Sequence, residues 1–417
     1  PSVRTRTRCA VTPGALPAPP NYRPAVEQWV AKHLDGLFTG PAAGSRHFRG
    51  GRLAARAALG AYDVSGYAQQ RNEVWPPSRR GASQLSPYIR HGLLQLSEVW
   101  DAVVSGPHRD VRKFRDELLW QEYARHLYAR VGRATAQPLR FRRTRPPDPD
   151  ASWPDGMACI AGNLRELDED GWLVNQTRMW LAADWVNRSN GDWRRGEDRF
   201  FTDLLDGSRA ANRLGWQWTA GLLTGRPYRF VRGQVERRAP GMCASCPLSN
   251  HCPIETHPDS ADLVAVEPDP LLRADPDATH TAGPQQALVD GKPDVVWLTA
   301  ESLGDNDPAL LAQPGLPAVF VFDDRLLVHL QLSAKRLVFL AECLGDLATR
   351  RDVLVYRGAP RQVLAGRAAA ATFTPVPGWR RLAERLHLAE VHPWPWLRPP
   401  HAGPVSSFSA WRRHIDT

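Results

Sequence analysis

The stretch SAKRLVFLAECLGDLATRRDVLVYRG, residues 333–358, joins a helical pattern to a short apolar strand. Leucines at 337, 340, 344 and 347 recur at the spacing of one helix face, and DVLVYRG is an apolar run that ends in glycine. DVVWL (294–298) and PAVFVFDD (317–324) are further runs of this kind. Because such runs alternate with helical segments, the pattern predicts a small parallel sheet with crossover helices.

The first part of the chain has a helical pattern instead. Apolar residues recur at helix spacing in 26–34, 113–132 and 200–223, and we find no alternating strand pattern between 24 and 240. Residues 253–290 carry eight acidic residues, one arginine and repeated prolines, which is typical of a linker without helix or strand. A chain of 417 residues exceeds one hydrophobic core, so we expect two domains. The expected boundaries are a helical domain over 1–252, a linker over 253–290 and an α/β domain over 291–417.

The overall composition, with 42% hydrophobic and 23% charged residues, is that of a soluble globular protein. A formal net charge of +9 favours an anionic partner such as nucleic acid. No apolar run is long enough to span a bilayer, and the Arg-rich first residues lack the apolar core of a signal peptide. We therefore expect a cytoplasmic protein without membrane contact.

Three of the six cysteines lie within MCASCPLSNHCP (242–253), at Cys243, Cys246 and Cys252. So close a group predicts most of a metal site, and metals held by thiolates usually have four ligands. From spacing alone, zinc completed by His251 or His257 is the first candidate.

A set of motifs occurs in a fixed order along the first 235 or so residues. They are YAQQRN (67–72), RRGASQLSPYIRHG (79–92), ELLWQEY (117–123), NQTRMW (175–180), DWRRGEDRF (192–200) and LLDGSRAANRLGWQW (204–218). In this order and at these intervals they resemble the FAD-binding domain of the photolyase/cryptochrome superfamily. VVWLTAESLGDNDPAL, RLVFLAECLGDL, VLVYRGAPRQVL and SSFSAWRRH resemble its α/β antenna domain, which comes first in ordinary members. The chain thus resembles a circularly permuted photolyase, with an all-helical FAD-binding domain followed by a Rossmann-like α/β antenna domain.

This resemblance implies an FAD site, with an Arg178–Asp206 pair beside the flavin ring. The implied cofactor-binding residues are Tyr67, Ser83, Leu85, Ser86, Gln121, Asn175, Arg178, Asp206, Ser208 and Asn212. Ala82, Gln121 and Ser208 stand where the family usually has threonine, arginine and aspartate. Without the resemblance, a plain helix N-cap is the favoured interpretation of the serines before residue 87, and Arg178–Asp206 can be an ordinary ion pair between helices.

The resemblance also implies a pocket for a flipped pyrimidine dimer, an electron relay and a DNA surface. Pocket residues are Glu117, Trp120, Met179, Asn212 and Trp218; relay residues are Trp216 and Trp193, with Trp153 or Trp185 as the third member. The arginines expected to contact phosphates are Arg140, Arg142, Arg143 and Arg229. From helix spacing alone, Trp120 fits a core position as readily.

The iron–sulfur branch of this superfamily implies Cys159 as the fourth ligand, which with Cys243, Cys246 and Cys252 would hold a [4Fe–4S] cluster. The same branch implies a ribityllumazine antenna chromophore, to which no residue can be matched. We expect a monomer that associates with the nucleoid when bound to DNA.

The expected activity is light-dependent repair of cyclobutane pyrimidine dimers by a deoxyribodipyrimidine photolyase with reduced FAD. Asn212 resembles the residue of repair enzymes, whereas signalling cryptochromes carry Asp or Cys at that position. The alternatives are a cryptochrome-like blue-light photoreceptor and a light-independent iron–sulfur DNA-binding protein. A (6-4) photolyase is disfavoured because no histidine, the proton donor of that reaction, lies between His126 and His251.

Overall fold

The computed structural model describes residues 14–256 and 262–415, so Cys9 and His257 lie outside the described residues. The helices of the first half are α1 Arg23–His33, α2 Arg52–Ala61, α3 Tyr67–Gln70, α4 Ser86–Arg90, α5 Leu96–Ala102, α6 His108–Val131, α7 Ala158–Asp170, α8 Asn175–Ala183, α9 Trp193–Asp203, α10 Arg209–Thr219 and α11 Arg232–Arg238. The later helices are α12 Ala278–Ala282, α13 Pro308–Ala312, α14 Asp324–Leu330, α15 Ala334–Ala348, α16 Pro360–Val363, α17 Pro377–Ala383 and α18 Phe408–Arg412. The strands are β1 Gly14–Leu16, β2 Phe141–Arg143, β3 Leu263–Ala265, β4 Leu288–Val289, β5 Val295–Leu298, β6 Ala318–Phe322, β7 Val353–Arg357, β8 Ala369–Thr372 and β9 Leu388–His392.

The predicted parallel sheet is confirmed. Strands β7, β6, β5, β8 and β9 lie side by side in this order and all pair in parallel. The strand order reverses between β5 and β8, which is the arrangement of a doubly wound α/β fold. Helix α15, on the predicted leucine stripe, connects β6 to β7 together with α14. Short antiparallel strands, β1 beside β7 and β4 beside β9, extend the two edges.

The prediction of one helix over 200–223 is wrong, because the chain breaks between α9 and α10. Leu204 has an extended backbone, and α10 begins again after Ser208. The Ser208 hydroxyl accepts a hydrogen bond from Ala210 N at 3.2 Å, so this serine is the N-cap of the second helix. The break places Asp206 in a turn rather than on a helix face.

The first half is also not all-helical. Strand β1 pairs with the α/β sheet and β2 pairs antiparallel with β3. The acidic segment 253–290 therefore contains secondary structure that its composition did not predict. Its aspartates cap local turns instead of only repelling one another: Asp269 accepts from Leu271 N and Asp277 from His280 N, both at 2.9 Å. The domain boundaries at 252 and 291 stay predictions.

The two halves share a hydrophobic core. One buried cluster contains side chains from α1, α4 and α6 together with residues of β6 and α15. Trp29 contacts Phe322 with ring centroids 6.0 Å apart, and Tyr88 contacts Phe339 at 6.1 Å. A second cluster lies within the first half and contains most of its buried tryptophans. Within the described ranges, no helix is both long and apolar enough to cross a membrane.

Candidate active site

The turn between α9 and α10 carries Asp206, which pairs with Arg178 on α8. Arg178 Nη2 lies 2.8 Å from Asp206 Oδ2, and Arg178 Nε donates to the Leu173 carbonyl at 3.0 Å, so the guanidinium is held at two points. The Asp206 side chain is only 7% exposed. Its Oδ1 is buried and has no hydrogen-bond partner among the described residues. A buried carboxylate oxygen without a partner needs an explanation, and a polar ligand is one that fits.

Asn212 provides a second such atom one turn into α10. Its side chain is buried, and Nδ2 has no partner within the described part of the chain. A carboxylate oxygen that accepts and an amide nitrogen that donates fit a heterocycle with both N–H and C=O groups. These orphaned polar atoms therefore fit the flavin ring that the sequence predicts beside Arg178.

The segment before α4 is the predicted pyrophosphate site. Leu85 occupies the N-cap position and no side chain caps the helix, so the alternative of a plain serine N-cap does not hold. Ser83 Oγ accepts weakly from Leu85 N at 3.4 Å, and Ser86 Oγ accepts from Trp172 Nε1 at 3.1 Å. Leu85 is fully buried, so its contact with the pyrophosphate stays a prediction. Tyr67 is buried on the neighbouring α3.

Helix α6 carries Glu117 and Trp120 one turn apart. Glu117 Oε1 lies 2.9 Å from Lys113 Nζ and 3.4 Å from Arg71 Nε, so cations from α6 and from the end of α3 hold the carboxylate. Trp120 is 36% exposed and Trp218 on α10 is 37% exposed, unusual values for indoles. The core position that helix spacing allowed for Trp120 is therefore not what the structure shows.

Helix α10 packs against α6, α8 and α9, which brings the helices of the predicted residues together. The remaining members show different exposure: Asn175 is exposed in the first turn of α8, Met179 and Gln121 are half-buried, and Ser208 is used as the N-cap described above. The structure shows no direct contact that assigns Asn175, Met179 or Gln121 to a ligand, and these assignments stay predictions.

The relay tryptophans lie on α9 and α10. Trp216 is 2% exposed, packs edge-on against Phe200 at 5.1 Å, and its Nε1 has no partner among the described atoms. Gly196, one turn after Trp193, lies against the Trp216 ring: a Cβ at this position would be 2.2 Å from it. Only glycine leaves room for the ring at this position. The two helices α9 and α10 therefore pack closely here, between Trp193 and Trp216.

The two candidates for the third relay member, Trp185 and Trp153, contact each other. The Trp185 and Trp153 rings lie 4.6 Å apart. Trp185 Nε1 donates to Asp192 O at 2.8 Å, directly before Trp193. Trp153 is half-buried and therefore the more accessible of the two.

The four cysteines of the predicted cluster line one pocket between α7, α11 and the loop after α11. Burial, followed by the proximity of Cys243, raises the pKa of the Cys159 thiol. Ala158 N lies 3.4 Å from Cys246 Sγ, which ties the start of α7 to the loop. Cys159 thus meets the other three cysteines across more than eighty positions of sequence.

The side chains that line this pocket do not form an assembled metal site among the described residues. Among residues 14–256 and 262–415, no group of three His, Cys, Asp or Glu side chains is close enough to hold one metal ion. Zinc requires thiolate sulfurs about 2.3 Å from one centre, whereas a four-iron cluster is larger and its ligands stand farther apart. His251 does not line this pocket. The choice between zinc and an iron–sulfur cluster therefore stays a prediction.

Arg143 is not placed to bind phosphate in the way that the sequence predicts. Arg143 donates to Val186 O at 2.7 Å and to Asn187 Oδ1 at 3.4 Å, and burial lowers its pKa. Its strand position turns it inward, next to exposed Arg142. Arg140, Arg142 and Arg229 are exposed and remain available to phosphates.

Sequence reasoning missed Arg336, which reaches the site from α15. Its guanidinium is buried and donates to the carbonyls of Phe201 and Gly207, the latter at 3.1 Å. The signal in the sequence was a cation directly beside the leucine stripe of a buried helix.

Comparison with known proteins agrees with this geometry. Residues 114–234 match the family described as the FAD binding domain of DNA photolyase. A deoxyribodipyrimidine photo-lyase of Thermus thermophilus is 34% identical over 198 residues, covering 44% of this chain and 46% of that protein. One of Synechococcus sp. is 28% identical over 228 residues, covering 50% of this chain and 46% of that protein.

A bacterial class III photolyase from Agrobacterium tumefaciens is a structural neighbour at 26% identity and a TM-score of 0.38, covering 45% of this chain and 42% of that chain. The chain thus spans less than half the length of these relatives. The family match contains Glu117, Trp120, Cys159, Arg178, Asp206 and Asn212 but not Cys243, Cys246 or Cys252. The matched FAD-binding segment and the curated relatives thus show that this chain is similar to DNA photolyases over part of its length.

Proposed function

We propose that this chain repairs cyclobutane pyrimidine dimers in DNA in a light-dependent reaction, as a deoxyribodipyrimidine photolyase with FAD. The observation that carries this proposal is two buried, unpartnered atoms: Asp206 Oδ1, on the carboxylate that pairs with Arg178, and Asn212 Nδ2 on the helix that follows. Both atoms lie in the segment that matches an FAD-binding domain. The same segment contains two exposed tryptophans, Trp120 on α6 and Trp218 on α10.

The residues around Asp206 bind and orient the flavin ring. Reduced FAD, when bound and illuminated, supplies one electron to the dimer, which splits into two pyrimidines and returns the electron. Arg178 places a fixed positive charge beside the ring and favours negative charge there, while Asp206 fixes the guanidinium. The Asn212 amide donates to an acceptor of the ring. The backbone at Leu85 and the Ser83 hydroxyl contact the pyrophosphate.

The lesion binds between indoles. Trp120 and Trp218 stack on the flipped bases, a contact of about 1–3 kcal/mol per base. Glu117, held by Lys113 and Arg71, keeps its carboxylate oriented to accept a base N–H. Exposed Arg140, Arg142 and Arg229 neutralise the phosphates around the extruded nucleotide.

Tryptophans carry electrons to the flavin when it is oxidised. Trp216 and Trp193 form the inner part of the relay. The contact between Trp185 and Trp153 supports Trp185 as the third member and Trp153 as the residue at which the relay ends. This order follows burial, since Trp216 and Trp193 are buried and Trp153 is half-buried.

The four cysteines hold a [4Fe–4S] cluster in this proposal. Support comes from their common pocket. The cluster would join the start of α7 to the loop after α11, a mainly structural role.

The α/β half is proposed as an antenna domain placed after the flavin domain, which is a circular permutation. The strand order β7-β6-β5-β8-β9 within residues 291–417 supports the Rossmann-like part of this proposal. An antenna chromophore of the ribityllumazine type is part of the same proposal, without assigned residues.

The test is repair of a thymine-dimer oligonucleotide by the purified, photoreduced protein, in light and in the dark, with single-stranded and duplex substrates. We expect dimer reversal only in light. Light-dependent flavin reduction without dimer reversal favours the photoreceptor, and a protein without flavin absorption favours the light-independent iron–sulfur protein. A (6-4) lesion is the specificity control and should remain intact.

A further inference from the structure

Helix α18 supplies a ring that lies flat on Trp120. The Phe408 and Trp120 centroids are 4.2 Å apart and the rings are inclined by only 10°. Such a close parallel stack joins α6 to the last described helix, which lies far from it in sequence. No motif considered in the sequence gave Phe408 a role.

Phe408 is fixed independently of this stack. Trp411 Nε1 donates to His126 Nδ1 at 2.7 Å in the core, and Arg412 Nη1 lies 2.6 Å from Asp116 Oδ1. The Ser407 hydroxyl accepts from Ala410 N at 3.1 Å and caps the helix. Because α18 is anchored to α6 at these points, the position of the Phe408 ring does not depend on Trp120.

The stack leaves one face of Trp120 open. Tyr123 approaches the indole edge-on, with centroids 5.6 Å apart and an interplanar angle of 79°. Phe408 covers one face, yet Trp120 remains 36% exposed. A parallel stack covers only one face of a ring, so we assign this exposure to the opposite face and the free edge.

We propose that Phe408 is a positioning residue for lesion binding: it fixes the indole plane of Trp120 so that the open face receives a flipped base. This inference rests on the proposed function. An indole already held in its bound orientation loses less rotational freedom when a base stacks on it, which favours extruded over stacked nucleotides. Phe408 thereby sets selectivity for the lesion without touching it.

The experiment measures dark binding of a dimer-containing and an undamaged oligonucleotide by the FAD-loaded full chain. Phe408→Ala should weaken binding of the dimer by about three- to tenfold and leave binding of undamaged DNA unchanged. Phe408→Tyr keeps a flat ring and should retain selectivity. Ser409→Ala, at an exposed position of the same helix, is the matched control and should behave as the unaltered protein.

A second readout follows the stack itself. The fluorescence emission of Trp120 is obtained by subtracting the spectrum of each protein's Trp120→Phe counterpart. This emission should shift to longer wavelength in Phe408→Ala. Phe408→Leu keeps apolar volume without a flat face, and decides the question if the alanine variant does not fold. A folded alanine or leucine variant that selects the dimer as well as the unaltered protein overturns the inference. Absence of selectivity in the unaltered protein instead overturns the proposed function.

Discussion

The buried guanidinium of Arg336 on α15 donates to the carbonyl of Gly207, 3.1 Å away in the turn between α9 and α10. Arg90 Nε donates to the same carbonyl at 3.2 Å. Burial, followed by the charge of Arg90, lowers the pKa of Arg336 to about 9. A charged group so buried is held only where hydrogen bonds compensate its desolvation. The α/β half thus fixes the turn that presents Asp206.

Replacing this guanidinium should therefore change the flavin site from a distance. We expect Arg336→Met to lower FAD affinity by about tenfold and to shift the flavin midpoint potential, because the Asp206 turn loses its anchor. Arg336→Lys keeps one charged donor and should recover part of both values. The measurements are FAD titration and spectroelectrochemistry.

Arg351→Met is the matched control for this prediction. Arg351 also donates to backbone carbonyls, at 2.8 Å to Leu310 and 3.0 Å to Gln313, but entirely within the α/β half. Its loss should lower the thermal stability and leave the flavin potential unchanged. Equal potentials in both methionine variants would show that Arg336 is only a packing residue.

Cys159→Ser should remove the metal and destabilise the helical half together. Cys159 is the ligand that reaches the pocket from α7, so its loss leaves three cysteines on one loop. Iron and zinc content, measured by elemental analysis of the purified protein, should show loss of iron. Cys343→Ser replaces a buried cysteine outside this pocket and should keep the iron. Full iron content in Cys159→Ser would contradict the ligand assignment.

The comparison of sequence with structure shows which information is local. Strands β5, β6 and β7 could be predicted because each is a short apolar run, and β6 and β7 are followed by aspartate and glycine respectively. The break before α10 could not, since its Gly207 carbonyl is satisfied by Arg90 and Arg336, 117 and 129 positions away. Arg143 was indistinguishable from Arg142 until pairing of β2 with β3 fixed which of them points inward.

Trp218→Ala should weaken dark binding of dimer-containing DNA by about 1–3 kcal/mol, since one stacking face is lost. Trp218 is 37% exposed, so the fold should tolerate the change, and thermal unfolding checks this. Trp218→Phe keeps an aromatic face and should lose much less. Equal losses in the alanine and phenylalanine variants would argue against stacking.

Trp193→Phe should slow light-driven reduction of oxidised FAD by at least about tenfold, because phenylalanine is much harder to oxidise than tryptophan. If the relay leaves through the Trp185–Trp153 contact, Trp185→Phe should slow the reaction similarly and Trp153→Phe less. Absorption of the flavin under illumination with an external reductant measures the rate. Trp180→Phe is the control, since Trp180 is equally buried but stacks on Phe230. A normal rate in Trp185→Phe would exclude this exit.

Asp307→Asn should change how stability depends on pH. Asp307 is buried before α13, accepts from the Thr372 hydroxyl at 2.8 Å, and burial raises its pKa to about 6. Because the folded state holds this proton more tightly than the unfolded chain, the stabilisation is complete below the ordinary carboxyl pKa and is lost as pH rises through about 6. Asparagine carries no such proton. The free energy of unfolding of Asp307→Asn minus that of the unaltered protein should therefore increase by up to about 3 kcal/mol between roughly pH 4 and roughly pH 7. Urea denaturation across this range measures it, and a difference that does not vary with pH would contradict the assignment.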